Sequence, residues 1–583
     1  MSILNFSILV AIITLIFVSL HTYIYYAILS YKFSFEGSHR FVLVGIGFFT
    51  LPTFIYISLL LHNKYLWIIL DILFIIYFIK LKLQFRSKII INFIKTNQML
   101  IICIFLLNLF YSHFYDAFTH ISMTHPDNFS NFNWAYFHNG FEEIAYPPGI
   151  SGILIPIMNL VDIKFALNFI GATLGVLTLY IILQILSITM SKFELILLSS
   201  ILISPIYNVL TLARIGIHTG AYFPILIITN LTLIVLMTKK SRVVNDNQLL
   251  SLFFITFLQA GVLAPHQTIT LVILNFSIIS FFAFSRLLTY QFSLTIFATI
   301  CLGFISSILY MSSSRLKSIE SIIYSSSSSS SSSSLYSFAE DYLSIKLPIR
   351  PIFESSNSLF AYFALFSSLT WLIVSYKRKN YQNFIIGYFT VFYGVITLTG
   401  ILELSYTKGR AGWNFMLLFA IVFSILASKL VDKYVRKFKV VIPLVIMLTS
   451  LLYPPIRYRF EPEEALTFTR TTLQAENMQI INLYSDLAEA HFIDPRVNLI
   501  TEIDLLNTYF SKKYVLLNMD GTLPDKFLAN IRKYEDRNFA KFDEEQQNII
   551  TNRIDKNIKL VSLLKQKGYK IISNSNTYYL LRN

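Results

Sequence analysis

The chain has 583 residues, of which 55% are hydrophobic and only 14% charged, with a formal net charge of +15. Soluble domains carry about 25% charged residues, so a soluble enzyme of this length is excluded, and a mean hydropathy of +0.61 excludes intrinsic disorder, which needs few apolar side chains. Cys103 and Cys301 are the only cysteines and both lie in apolar runs, which excludes a disulfide framework and a cysteine zinc site.

A run of about 20 apolar residues spans a bilayer as a helix. Such runs are predicted at Ile3–Leu29, Phe41–His62, Leu66–Leu83, Met99–Tyr115, Lys164–Ile188 and Leu195–Ala213. They continue at Ala221–Thr238, Leu249–Pro265, Gln267–Phe284, Phe292–Ser312, Leu359–Tyr376, Asn383–Leu404, Phe415–Val431 and Val440–Tyr453. The expected fold is therefore an all-α polytopic membrane protein of about 14 transmembrane helices. The first run lacks a basic leader and a small-residue cleavage site, so it is expected to be retained. The apolar stretch Ile150–Val161 would make only about 18 Å of helix against roughly 30 Å of hydrocarbon. It is placed as an external or re-entrant helix.

Lys and Arg collect on the cytoplasmic side of membrane proteins. Lys80, Lys82, Arg86, Lys88 and Lys95 mark one such loop, and Lys239, Lys240 and Arg242 a second. Lys377, Arg378 and Lys379 mark a third, and Lys433, Arg436, Lys437 and Lys439 a fourth. Only Lys64, Lys164, Arg214, Lys408 and Arg410 then fall in short external segments. Topology absorbs the positive charge, and no nucleic-acid partner is needed to explain it. Plasma membrane is the expected location.

Three regions organise the chain: extra N-terminal helices over 1–98, a transmembrane core over 99–454 and a small external α/β domain over 455–583. The core carries a first external loop over 116–163 and a Ser-rich external loop over 312–358 that contains the run Ser325–Ser334. In the C-terminal domain, strand-like runs at Val497–Ile503, Tyr514–Asn518, Tyr569–Ile572 and Tyr578–Leu581 alternate with helical ones at Glu476–Glu489 and Gln546–Lys567.

Ionisable groups at membrane depth are expensive and mark function. The first external loop is the richest source, with Asp116, His120, Glu142, Glu143 and then Tyr146-Pro147-Pro148-Gly149. Asp116 directly follows a span, which puts its carboxylate near the water-lipid boundary, and His120 shares its face if helix continues. Later segments bring Arg214 and His218, then His266, then Lys408 and Arg410 to the same face. Each also has a plainer reading: Glu142 and Glu143 as a solvated pair, Arg214 and Arg410 as interfacial anchors, His218 and His266 as hydrogen-bonded structural histidines. Asp71 lies mid-span and reads as a single buried acid at a helix interface, or as a proton-relay group.

A span closed by Asp116, an external loop, Tyr-Pro-Pro-Gly, a short apolar helix and a long span together resemble the GT-C superfamily of glycosyltransferases. Gly409-Arg410-Ala-Gly-Trp-Asn before a late helix is similar to the same superfamily, and the resemblance runs from Met99 to the C-terminus. It implies a membrane enzyme that moves a sugar from a polyprenyl-phosphate donor to a glycan, lipid or protein acceptor beside the lipid. A phosphate leaving group needs preorganised cations; Arg410 is the first candidate, since guanidinium meets phosphate oxygens in pairs, with Lys408, Arg214 or His266 assisting. The acceptor hydroxyl needs a base on the opposite face of the sugar; Asp116 is that candidate, which implies inversion. Glu142 or Glu143 would hold sugar hydroxyls or share the base role, and His120, Tyr146 and His218 would bind substrate. The sequence departs from the superfamily in one place. Where many members carry a second acidic motif, Arg214-Ile-Gly-Ile-His218 has no Asp or Glu, so a divalent metal ion is left without that ligand pair. This implies metal-independent transfer, or a chain that has lost transfer and serves as an assembly subunit. A transporter of lipid-linked saccharides is the other alternative; it calls for charges along a path through the membrane.

Overall fold

The computed structural model describes residues 3–33, 37–81, 135, 148–161, 163, 166–203, 219–238, 245–326, 356–399, 408–435, 437, 441–452, 478–481, 498–500, 514–518, 559, 561–574 and 578–583. The predicted spans over this range are helices: α1 (Ile3–Phe33), α2 (Val42–Phe48), α3 (Thr50–Leu60) and α4 (Leu66–Lys80), then α5 (Ser151–Met158), α6 (Leu167–Leu186), α7 (Lys192–Ile203) and α8 (Thr219–Thr238). They continue as α9 (Asp246–Leu263), α10 (Pro265–Phe284), α11 (Tyr290–Ser326), α12 (Ser356–Lys377), α13 (Tyr381–Thr399), α14 (Lys408–Tyr434) and α15 (Val441–Leu452). The expected span Met99–Tyr115 lies outside the described residues. Among the described residues, six helices are long and apolar enough to cross a membrane, or seven if the bent pair α2 and α3 is one span. The protein is an integral membrane protein, mostly helical.

The one span expected over Phe41–His62 is broken, with a bend of 43° between its halves. Pro52 lacks an N–H and so leaves a turn of the helix without its ladder bond. In hydrocarbon a freed carbonyl must find another donor. The carbonyl that Pro52 leaves without a ladder donor is that of Phe48; beside the break, the Ile46 carbonyl accepts from Thr50 Oγ1 at 2.9 Å and from Gln259 Nε2 of α9 at 2.9 Å. α9 itself starts at Asn245, whose side chain accepts from the Asn247 N–H at 3.2 Å and so caps the helix.

Small residues let the helices approach closely, as membrane packing requires. A Cβ on Gly303 of α11 would stand 2.6 Å from the Phe254 carbonyl oxygen, and one on Gly261 of α9 would stand 2.4 Å from Ser307 Cβ. Gly45 and Gly47 do the same for the two faces of α2, toward Thr229 of α8 and toward the Thr22 carbonyl of α1. Between α8 and α10, fully buried Asn230 and Asn275 exchange amide hydrogen bonds of 3.2 and 3.0 Å. A reciprocal pair satisfies both polar groups where water is absent.

Helix ends sort into two faces. Gln259 pairs with Ile46 while Val262 and Leu263 lie beside Pro52 and Thr53, so α3 and α9 run parallel. α10 then returns to the opposite face, where Phe281 packs against Tyr376 and Phe384 at ring separations of 5.9 and 5.1 Å. Lys429 of α14 lies 4.6 Å over the Trp371 ring of α12, so those two helices also end together. One face therefore gathers Arg286, Lys377, Arg378, Lys379 and Lys433, the pattern that electrostatic orientation of loops produces. The other carries the α9–α10 turn and the first turn of α14.

Two differences from expectation have local causes. α11 runs to Ser326, well past the start expected for the Ser-rich loop at Ser312; Leu316, Ile319 and Ile323 keep helical spacing there. The helix expected over Glu476–Glu489 is interrupted by a strand. β1 (Met478–Ile481) is an inner strand of a five-stranded sheet of order β2-β1-β3-β5-β4. Its partners are β2 (Asn498–Ile500) and β3 (Tyr514–Asn518), both parallel to it, while β4 (Lys570–Asn574) and β5 (Tyr578–Arg582) complete the sheet in antiparallel pairing. Flanked on both sides, Gln479-Ile480-Ile481 gains ladder bonds that a helix would not offer, and context of this kind overrides weak propensity. The other four strands coincide with the strand-like runs read from sequence.

Candidate functional site

The break between α2 and α3 fixes a recess. The α9–α10 turn, Ala264-Pro265-His266, lies level with Pro52 and Thr53, and the run from Thr53 to Leu60 adds about 10 Å of helix beyond that level. Onto this turn docks the Pro-Pro-Gly segment. Gly149 has φ +47°, and a Cβ there would stand 3.1 Å from the Leu263 carbonyl oxygen and 3.5 Å from that of Val262. Only glycine adopts such a backbone freely while letting two carbonyls come so near. The chain then enters α5, where Ser151 Oγ donates to the Pro148 carbonyl and Gly152 presses on Pro52. Ser151, Leu154 and Ile157 are completely buried. The short helix lies inside the protein.

The recess has an unmet polar side. Ala264 precedes α10 without a side-chain cap, Pro265 has no N–H, and the Gln267 and Thr268 N–H groups donate to the Ala264 carbonyl at 3.0 Å. Gln267 in that turn is buried, and its amide nitrogen has no partner among the described residues; the same holds for the Gln259 Oε1 that faces away from Ile46. Polar groups held dry and unpartnered are uncommon. Sequence reading missed both glutamines, which lie in or beside apolar runs that give no sign of their surroundings.

Of the residues expected to form the site, His266 is at the start of α10 and Lys408 and Arg410 are in the first turn of α14, on the same face of the bundle. A helix N-terminus already carries about half a positive charge. Two further cations belong to that turn, with no acid among its first residues. Asp116, His120, Glu142, Glu143, Tyr146, Arg214 and His218 lie outside the described residues. Among the described residues no group of three or more His, Cys, Asp or Glu side chains is arranged to hold a metal ion.

Asp71 lies at a helix interface, as read from the sequence, and has partners there: Tyr25 OH donates to its Oδ1 at 2.5 Å and His21 Nε2 lies 3.2 Å from its Oδ2. The partners sit on α1, far away in the chain, and no local pattern announces them.

Replacing Gly149 by alanine forces an L side chain into the left-handed region and against a backbone carbonyl. The expected result is a loss of about 1–2 kcal/mol, read as a lower melting temperature in detergent.

No protein-family model matches the chain, and no curated protein matches it. Among solved structures it is similar to the apo oligosaccharyltransferase of Archaeoglobus fulgidus, with 12% identity over 73% of this chain and 70% of that chain and a TM-score of 0.44.

Proposed function

We propose that the chain is a membrane glycosyltransferase that moves a sugar from a polyprenyl-phosphate donor to a glycan, lipid or protein acceptor on the external face, with inversion of the anomeric centre. The observation that carries this reading is the docking of Gly149, which ends the acid-rich first loop, on the α9–α10 turn that bears His266. On this reading the loop of Asp116, Glu142 and Glu143 shares a face with the start of α14, which carries Lys408 and Arg410.

The chemistry follows from these parts. The bond between the anomeric carbon and the phosphate oxygen breaks through an oxocarbenium-like state, and the charge that grows on phosphate is met by Arg410, with Lys408, Arg214 or His266 beside it. Asp116 takes the proton of the acceptor hydroxyl as it attacks from the far side. Glu142 and Glu143 orient sugar hydroxyls, and His120, Tyr146 and His218 bind substrate. The reading includes 14 spans, a plasma-membrane location, the first three helices as an addition to the core and 455–583 as an external domain. Since Arg214-Ile-Gly-Ile-His218 lacks an acid, an assembly subunit without transfer is the second reading.

The test is transfer from a synthetic polyprenyl-phosphate sugar by the purified full chain. Wild type is expected to release polyprenyl phosphate and Arg410→Ala to lose about 10²–10³-fold in rate. A folded wild type that transfers nothing from any donor supports the assembly reading instead.

A further inference from the structure

Between α1 and α4, well inside the bundle, lies a polar cluster that sugar transfer does not use. α4 is sided: Ile68, Ile72, Ile76 and Ile79 are exposed outward while Phe78 is buried, and Asp71 and Phe74 share the stripe of Phe78 at helical spacing. Asp71 is about 14 Å of helix from Lys80 at one end and about 8 Å from Leu66 at the other. Its side chain is 14% exposed and that of His21 11%, too little for water to solvate a charge.

The donors can be assigned. The Phe17 carbonyl, 2.9 Å from His21 Nδ1, can only accept, so Nδ1 bears hydrogen. Tyr25 OH donates to Asp71 Oδ1. This leaves the 3.2 Å contact between His21 Nε2 and Asp71 Oδ2, which closes as a hydrogen bond with one proton between the two atoms. With none, an uncompensated carboxylate would remain; with two, an uncompensated imidazolium. Either is costly in hydrocarbon. The residues that pack around the cluster from α2, α3 and α5 are Gly47, Phe48, Leu51, Phe54 and Ile153, none of which titrates. Among the described residues the ionisable groups of the cluster are therefore Asp71, His21 and Tyr25.

We propose that His21, Asp71 and Tyr25 form a one-proton site inside the membrane: a single proton held between Nε2 of His21 and Oδ2 of Asp71 keeps the cluster without net charge and clamps α4 to α1. The crevice it borders is lined by Ile153 of the buried helix α5. The proposal is independent of sugar transfer.

The full chain in detergent is melted between about pH 5.5 and 8.5, where free histidine titrates, as wild type, Asp71→Asn, His21→Ala and His21→Gln. Asparagine keeps an oxygen for Tyr25 and offers an N–H to Nε2. Asp71→Asn is therefore expected within about 1 °C of wild type, with a difference that does not change with pH. His21→Ala and His21→Gln leave a carboxyl that fits hydrocarbon only when it holds its own proton. Their stability is present at low pH and is lost as pH rises, by about 3 °C in melting temperature. Adding Asp71→Asn to either removes that slope. If His21→Ala does not fold, His21→Gln carries the comparison. A His21 variant whose difference from wild type is constant with pH overturns the proposal, and so does a wild type that loses stability with pH while Asp71→Asn does not.

Discussion

Asp116→Asn is expected to lower sugar transfer by about 10²–10⁴-fold while leaving donor affinity nearly unchanged. Asparagine has the same shape and keeps an oxygen for hydrogen bonding, but it cannot take a proton, and proton transfer by a placed base contributes that range. The loss should fall on kcat, because the base acts only as the acceptor hydroxyl attacks. Arg410→Ala should behave differently: under the proposed function its guanidinium would meet donor phosphate in both ground and transition states, so that both KM and kcat would suffer. Arg410→Lys should restore part of the rate, since the charge returns without the paired geometry. The measurement is steady-state transfer by purified variants with unchanged melting temperatures. Asp116→Asn transferring within threefold of wild type would leave Asp116 as an ordinary residue at a helix end.

The largest structural effect is expected at Gly303. Its would-be Cβ lies 2.6 Å from a main-chain carbonyl of α9, and a backbone atom cannot rotate away as a side chain can. Gly303→Val must push α9 and α11 apart along a contact that also holds Phe257 and Leu258. Overpacking of this kind costs about 1–3 kcal/mol where neighbours can shift and more where they cannot. Separation here would also disturb Tyr56, whose hydroxyl donates to the Ser306 and Ser307 carbonyls at 2.7 and 2.8 Å. Gly303→Val is expected to yield little folded protein by size-exclusion chromatography. Gly261→Ala differs in kind, because it meets the Ser307 side chain. Ser307→Gly should therefore rescue Gly261→Ala and should not rescue Gly303→Val.

Hydropathy located the helices because a bilayer demands long apolar runs, and the ends found for α8, α10, α12 and α13 lie near those read from the sequence. The break at Phe49 was hidden by the same property: Phe41–His62 is continuously apolar, and Pro52 was the lone mark of a bend. That Ile150–Val161 is too short to cross was legible from its length (about 18 Å of helix), whereas the burial of Ser151, Leu154 and Ile157 inside the protein was not. The partners of Asp71 were not legible, because the contact joins α1 to α4 across two intervening elements. The Gln259–Ile46 bond has the same character: it joins α9 to α2 across 213 positions of sequence. β1 was missed because its strand state comes from β2 and β3 on either side. For the site, residue types and helix ends were legible. That Gly149 seats on the α9–α10 turn was not, since a Pro-Pro-Gly sequence specifies a turn but not what it touches.

The most direct test of the account is the sidedness of positions 116 and 410. Asp116→Cys and Arg410→Cys are made in a chain with Cys103 and Cys301 replaced by serine, and intact cells are treated with a membrane-impermeant maleimide, with Lys80→Cys as the inward-facing control. The account predicts that both positions react from outside, whereas Lys80→Cys reacts only after the membrane is opened. Reaction of positions 116 and 410 from opposite sides of the bilayer would contradict it.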